Sequence, residues 1–363
     1  MIKKYIKELT ELNGVSAREN KIIEYMFDQF AKNVQEVRVD KVGNVIAKIK
    51  AEKENVPKIM IFGHMDEVGM IIRKIENNGF LRIERLGGVS TQILPGTIVN
   101  ITGKENEVKG VIGTPSHHFI KPEEKFSVPQ VKDLYVDIGA ESAEDVKNKG
   151  IHVGDWITFE NQFIELGENK ICAKALDDRA ALAIMLGVLK NIKDHELGWD
   201  VYFVAATMEE FNIRGILPAV REIRPDVMLG IDITPSCDTP EMDYNDIALG
   251  KGPALTYMNF HGRGTLAGVL PDEKILHYIE SICDENEIKY QREVAPGVIT
   301  ENAFTLFENN GICVANISIP TRYTHTPIEC IDIRDVEEIV KLLTKIIVGL
   351  KNEESFGKER VKV

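Results

Sequence analysis

The strongest constraint on the fold is a change of pattern inside the chain. Helix and strand signatures alternate up to about residue 66, give way to short β-rich runs over 67–166, and resume beyond Lys170. In the first part, Ile22, Ile23, Met26, Phe27 and Phe30 recur at helical intervals behind Ser16-Ala-Arg-Glu19, which has the spacing of a capping box. Residues 35–39 and 44–49 predict strands about a Val42-Gly43 turn. The unbroken apolar run Ile59-Met-Ile-Phe62 is that of a strand covered on both faces. In the middle part, short runs at 69–75, 80–84, 97–102, 108–112, 134–138 and 155–159 are punctuated by Asn77-Asn78-Gly79, Leu86-Gly87-Gly88 and Leu94-Pro95-Gly96, with one helical stretch at 142–148. That spacing suggests a small barrel or sandwich. The last part predicts helices over 178–192, 217–223, 272–285 and 336–350, and strands over 199–206, 227–233 and 312–317.

The expected architecture is α/β. A central sheet flanked by helices is built from residues 1–66 and 167–363, and is interrupted by a β-rich domain at 67–166. The length of 363 residues fits two or three domains. With 44 Lys+Arg against 57 Asp+Glu the formal charge is −13, which argues against nucleic acid or an anionic membrane surface as partner, since both need a basic footprint. The five cysteines (Cys172, Cys237, Cys283, Cys313, Cys330) never form a C-x-x-C pair, so neither a disulfide framework nor a thiolate zinc site is expected. The longest apolar stretch, 180–189, is half a membrane span, and the amphipathic start of the chain is unlike a signal peptide. A cytoplasmic protein is the expectation.

Polar residues gather just past predicted buried strands, where open α/β sheets place their sites. Gly63-His64-Met65-Asp66-Glu67 follows one apolar run, and in an extended segment His64 and Asp66 point to the same side. Lys174-Ala-Leu-Asp177-Asp178-Arg179 stands at a strand-to-helix junction, Thr207-Met208-Glu209-Glu210 after another strand, and Gly230-Ile231-Asp232 inside an apolar run. Tyr323-Thr-His325-Thr-Pro327 follows the last strand. Each cluster alone also fits a bland role: a hydrogen-bonded strand-end histidine, a helix cap, a pair of solvated acids. Together they place His, Asp, Glu, Asp and His near the ends of different strands of one sheet. One tetrahedral zinc needs three or four of these. Five, with one carboxylate shared, fit two divalent ions about 3.5–4 Å apart, and the acids offset most of the cations' charge.

The motifs Gly-His-Met-Asp-Glu-Val-Gly, Lys-Ala-Leu-Asp-Asp-Arg, Glu-Glu, Ile-Asp-Ile-Thr-Pro and Ile-Pro-Thr-Arg-Tyr-Thr-His-Thr-Pro together resemble the tetrahedral (TET) aminopeptidases. These are dimetal exopeptidases grouped with glutamyl and deblocking aminopeptidases, and the resemblance covers essentially the whole chain. It implies one metal on His64 and Asp232, another on Glu210 and His325, and Asp177 bridging. It further implies Glu209 as general base, Asp66 as partner of His64, and a cis Asp177–Asp178 peptide. The implied activity is removal of N-terminal residues from short peptides, with zinc, cobalt or manganese as the metal pair. The implied assembly is a homo-oligomer in which subunits pair through the inserted domain and the dimers build a tetrahedral dodecamer. A related deacylase of N-acyl amino acids and an endoglucanase are the alternatives; the latter leaves both histidines without a task. His117-His118 is expected in a loop or interface, not in a third metal site. Two stretches depart from the pattern: 260–268, and 297–303, which reads Gly297-Val-Ile-Thr300-Glu301-Asn302-Ala303 where relatives have a glycine-rich turn followed by Thr-Asp-Ala. Glu301 is expected either to bind the substrate amine or a basic side chain, or to be a solvated helix-start acid.

Overall fold

The computed structural model describes residues 1–262, 265–351 and 354–358. Its large sheet has twelve strands, of which nine follow one path: Glu36–Val39, Val45–Ile49, Asp200–Ala206, Lys58–His64, Val227–Pro235, Cys313–Arg322, Glu329–Asp332, Lys170–Ala173 and Ile164–Leu166. The four central strands, from Asp200–Ala206 to Cys313–Arg322, are mutually parallel. The outer pairings on that path are antiparallel, so the sheet is mixed. Parallel strands are covered on both faces, which explains their near-continuous apolar runs.

Helices supply both covers. On one face lies Leu176–Ile192, an alanine-, leucine- and isoleucine-rich helix buried along nearly its whole length because Ile2–Thr10 and Ile333–Gly349 pack over it. On the other face, Leu217–Ile223 closes over Met60, Phe62, Val204 and Met228.

The β-rich middle forms a closed six-stranded barrel in the order Gly69–Ile75, Leu81–Leu86, Tyr135–Asp137, Glu107–Gly113, Ile98–Thr102 and Trp156–Phe159. It has a core of its own, including Met70, Ile72, Ile83, Val99, Ile101, Ile112, Val136 and Phe159. Closure removes the exposed edges an open sheet of this size would present. The barrel ends at Phe159. Ile164–Leu166, expected within the insertion, instead pairs with Lys170–Ala173 in the large sheet.

Three further differences from the sequence reading have physical causes. The helix expected to be capped by Ser16 starts at Asn20. Ser16 Oγ donates instead to Asp66 Oδ2 at 2.5 Å, and Glu19 Oε1 accepts from Ala17, Thr207 and Met208; distant partners outcompete the local box. The closing helix begins three residues early, at Ile333, because Asp332 caps it through the Arg334 N–H. Strands at Ala254–His261, Ala267–Val269 and Gln291–Pro296 had no alternation strong enough to be read. They extend the sheet sideways, with Ala254 and Leu255 paired to Ser318 and Ile317. The five cysteines are free, and among the described residues no helix is long and apolar enough to cross a membrane.

Candidate metal centre

The carboxyl ends of the four parallel strands converge. His64 is the last residue of Lys58–His64, and Asp232 lies near the end of Val227–Pro235. Glu209 and Glu210 follow Asp200–Ala206 through Thr207 and Met208, and His325 follows Cys313–Arg322. Asp177 enters at the start of the buried helix, where its own backbone and that of Asp178 are not yet helical. Three turns that aim these groups contain left-handed residues that are not glycine: Ala175 at φ 54°, Met208 at φ 54° and His325 at φ 59°. Such conformations cost energy and persist where surrounding contacts fix them. The Asp177–Asp178 peptide is cis.

All five expected ligands meet. His64 Nε2 lies 3.0 Å from Asp177 Oδ1, and His325 Nε2 lies 3.2 Å from Asp177 Oδ2. One aspartate is thus addressed by an imidazole on each oxygen. Ligand atoms of His64, Asp177 and Asp232 fall within 4.8 Å of one another, as do those of Asp177, Glu210 and His325, so the two sets share Asp177. A third grouping joins His64 with Glu209 and Glu210. Glu209 Oε2 stands 4.0 Å from His64 Nε2, inside the same cavity of about 590 Å³ that Asp177, Glu210, Asp232 and His325 line. His117 and His118 are exposed and belong to none of these groupings among the described residues.

Asp66 acts differently from the simple partner of His64 expected of it. His64 Nδ1 is nearest the Asp66 main-chain oxygen at 3.1 Å, with the carboxylate at 3.4 Å. The Asp66 carboxylate accepts the Glu209 and Glu210 N–H groups, each at 3.0 Å, as well as the Ser16 hydroxyl. It therefore positions the backbone of both glutamates and, through its own carbonyl, the imidazole.

The charges do not balance within the protein. Burial pushes Glu210 up to about 8, with His325 acting against the shift and Asp177 adding to it. Burial, then Asp177, pushes Asp232 up to about 7. Burial also raises Glu209 well above the ordinary carboxylate range. Asp177 feels the same burial, yet His325 and His64 hold it far below that range. Among the described residues Glu210 Oε1 has no hydrogen-bond partner, and His325 Nε2 stands 3.6 Å away. Buried carboxylates this close cannot all ionise unless cations are supplied. The donor set of imidazole nitrogen and carboxylate oxygen suits divalent zinc, cobalt or manganese. The residues fit a metal pair.

Two supports escaped the sequence reading. Glu329 is buried and takes the Asp177 N–H on Oε2 at 2.9 Å and the His325 N–H on Oε1 at 2.7 Å, fixing two of the five from behind. Its only sequence signal is an acid in the run Ile328-Glu-Cys-Ile. Beneath the site, Lys174 Nζ meets both oxygens of Glu67 at 2.8 and 2.7 Å, with Arg179 Nη2 at 3.6 Å. Of the departing stretches, Arg263 and Gly264 lie outside the described residues. Glu301 is buried, not a solvated helix-start acid: burial pushes it up to about 8, and its Oε1 is unpartnered.

A mixed α/β sheet whose carboxyl edge gathers two imidazoles and unbalanced carboxylates defines the class of metal-dependent hydrolases. The family described as M42 glutamyl aminopeptidase matches residues 43–342, and the chain belongs to it. It is a peptide hydrolase, an aminopeptidase, which sets the glycosidase and N-acyl alternatives aside. The Escherichia coli (strain K12) protein SgcX is 44% identical over 339 residues, 93% of this chain and 91% of its own. An aminopeptidase from the archaeon Desulfurococcus kamchatkensis superposes with a TM-score of 0.91 at 34% identity, over 97% of this chain and 96% of that one. The TET1 peptidase of Pyrococcus horikoshii, which can assemble into a tetrahedron or a large octahedral shell, does so with 0.84 at 28% identity, over 96% and 100%.

Proposed function

We propose that the chain trims N-terminal residues from short peptides with a dimetal centre at the converging strand ends. His64 and Asp232 would hold one ion and Glu210 and His325 the other, with Asp177 shared between them. The observation that carries this is the two-sided contact of Asp177, with one imidazole nitrogen at 3.0 Å and another at 3.2 Å on its separate oxygens. Bound there, divalent ions lower the pKa of water and polarise a peptide carbonyl.

The protein's own groups do the rest. Glu209 takes a proton from the attacking water on its carboxylate, and later gives it to the leaving nitrogen when the peptide bond breaks. Its backbone N–H is held by Asp66, which fixes where the side chain departs from the loop. Glu329 keeps Asp177 and His325 facing inward during turnover.

The physiological metal is zinc, cobalt or manganese, and the location cytoplasmic. The large sheet and its helices act as the catalytic unit, and the barrel spanning 69–159 as the module that pairs subunits into dimers and those into a dodecamer. The exposed Phe119 and Phe126 on the barrel's loop support a contact role for that module. Glu209→Gln should keep two metals per chain by elemental analysis and lose about 10²–10⁴-fold in kcat, the size of acid–base assistance. Near-normal turnover in that variant would refute the assignment.

A further inference from the structure

A second cavity, of about 280 Å³, adjoins the metal-centre cavity; Pro235, Gly297 and Val298 line both. Its walls are largely apolar, with Met242, Tyr244 and Ala295 among them, and one acid, Glu293, lines it as well. Glu293 sits on Gln291–Pro296, where alternate residues turn inward, so it shares a face with Ala295. It is 2% exposed. Its carboxylate accepts hydrogen bonds from the hydroxyls of Thr234 and, at 2.9 Å, Thr256.

Those partners orient the carboxylate without neutralising it. Burial raises the group above its ordinary range, the two hydroxyls oppose the rise, and among the described residues no lysine or arginine contributes. Buried acids are ordinarily paired, and removing a charge from water is expensive unless a counter-charge arrives. The contrast with Glu67, which has Lys174 against both oxygens, is direct.

Position decides what could arrive. Asp232 and Thr234 are two apart on one strand, so their side chains share a face about 6.7 Å apart along the strand. Thr234 touches Glu293, whereas Asp232 belongs to the metal cluster. A residue whose amine and carbonyl sit at the cluster can therefore run its side chain past Pro235 and Val298 to the acid. Four methylenes ending in an ammonium match that span and the apolar walls.

We infer that Glu293 makes this side cavity the seat of a basic first residue, so that the enzyme selects peptides beginning with lysine or arginine over acidic ones. The inference rests on the aminopeptidase reading of the neighbouring cluster. An acidic first residue would bring like charge against Glu293, and a norleucine-like one would leave it unpaired.

The test uses the full-length enzyme loaded with zinc or cobalt and a set of X-Ala-Ala tripeptides, with X as Lys, Arg, Met, Gln or Glu. Wild type should favour Lys and Arg over Met by at least about tenfold in kcat/KM, and over Glu by about a hundredfold or more. Glu293→Gln should lower the Lys-to-Met ratio by about tenfold or more, chiefly through KM; Glu293→Asp should keep the preference. Thr256→Lys, which offers an internal cation to the same carboxylate, should erase the preference as the glutamine does. Calorimetry with lysinamide against norleucinamide gives a readout independent of turnover, and lysinamide should bind tighter in wild type alone. A Met or Glu preference in wild type, an unchanged ratio in folded Glu293→Gln, or equal binding of the two amides overturns the inference. If no tripeptide is cleaved, the aminopeptidase reading fails, and the amide comparison still decides the role of Glu293.

Discussion

Two buried charge clusters lie back to back beneath the carboxyl edge of the sheet, and they are built on opposite principles. In the lower one, Glu67 faces Lys174 and Arg179 and also accepts the Gly14 N–H at 3.0 Å, so the protein answers its own charge. In the upper one, Asp177, Glu209, Glu210 and Asp232 crowd around two imidazoles, and the acids outnumber the cationic groups. The first cluster is charge-paired as folded and fixes the N-terminal segment against the helix at Asp177. The second is left in deficit, and a deficit is what a site for cations requires. Burial alone therefore does not mark function; the sign left over after local pairing does.

Metal removal should break the comparison most sharply. Dialysis against a chelator should reduce aminopeptidase activity to background, with recovery on adding zinc, cobalt or manganese. Thermal unfolding should show a loss of about 4 kcal/mol if the ions normally stand near 1,000 times their dissociation constant. The lower cluster should be indifferent to the chelator. Conversely, Lys174→Met strands Glu67 and should cost about 3–5 kcal/mol in denaturant unfolding, while the double change with Glu67→Met recovers much of it. A smaller effect is expected where the upper cluster is only steadied: Glu329→Gln presents an amide N–H₂ to one of two backbone donors and should weaken metal binding about 10–100-fold by competition with a chromogenic chelator.

The smallest effect concerns a balanced pair nearer the surface. Asp238 is partly buried, which works against its ionisation, but Arg322 Nε at 2.8 Å and Nη2 at 2.6 Å hold it below the ordinary carboxylate range. A lowered folded pKa contributes stability that is present above the unfolded value and is lost as pH falls through the folded one. Asp238→Asn should therefore cost about 1 kcal/mol at pH 7, and the gap to wild type should close as pH drops from about 5 toward 3. A gap that widens on acidification would contradict the ion-pair account.

Much of the upper cluster was legible in the sequence, because a parallel strand announces itself as an apolar run and its ligands follow within a few residues. Of the residues proposed as ligands, His64, Glu210, Asp232 and His325 sit at or just past such strand ends, while Asp177 follows the antiparallel strand Lys170–Ala173 at the start of the buried helix. The interruption was legible for a similar reason: turn signals at regular spacing replace the helical period. What stayed hidden depends on partners far along the chain. Ser16 forsakes a local cap for Asp66, fifty residues away, and nothing near either residue shows it. Glu329 earns its place through amides at Asp177 and His325, the former 152 residues distant. The strands at Ala254–His261 and Gln291–Pro296 pair side by side across an intervening helix, and their mixed burial gives no clean alternation.

One contact ties the barrel to the chemistry of the sheet. The carbonyl oxygen of Gly88, on the segment after Leu81–Leu86, lies 3.3 Å from His325 Nδ1, and a Cβ at Gly88 would stand 2.6 Å from that nitrogen. The barrel side thus sets the ring's tilt, so a shortened chain lacking only the barrel strands, 69–159, would keep the large sheet but carry a slack imidazole. Evolution could not trade this module for another without rebuilding the hand that steadies it.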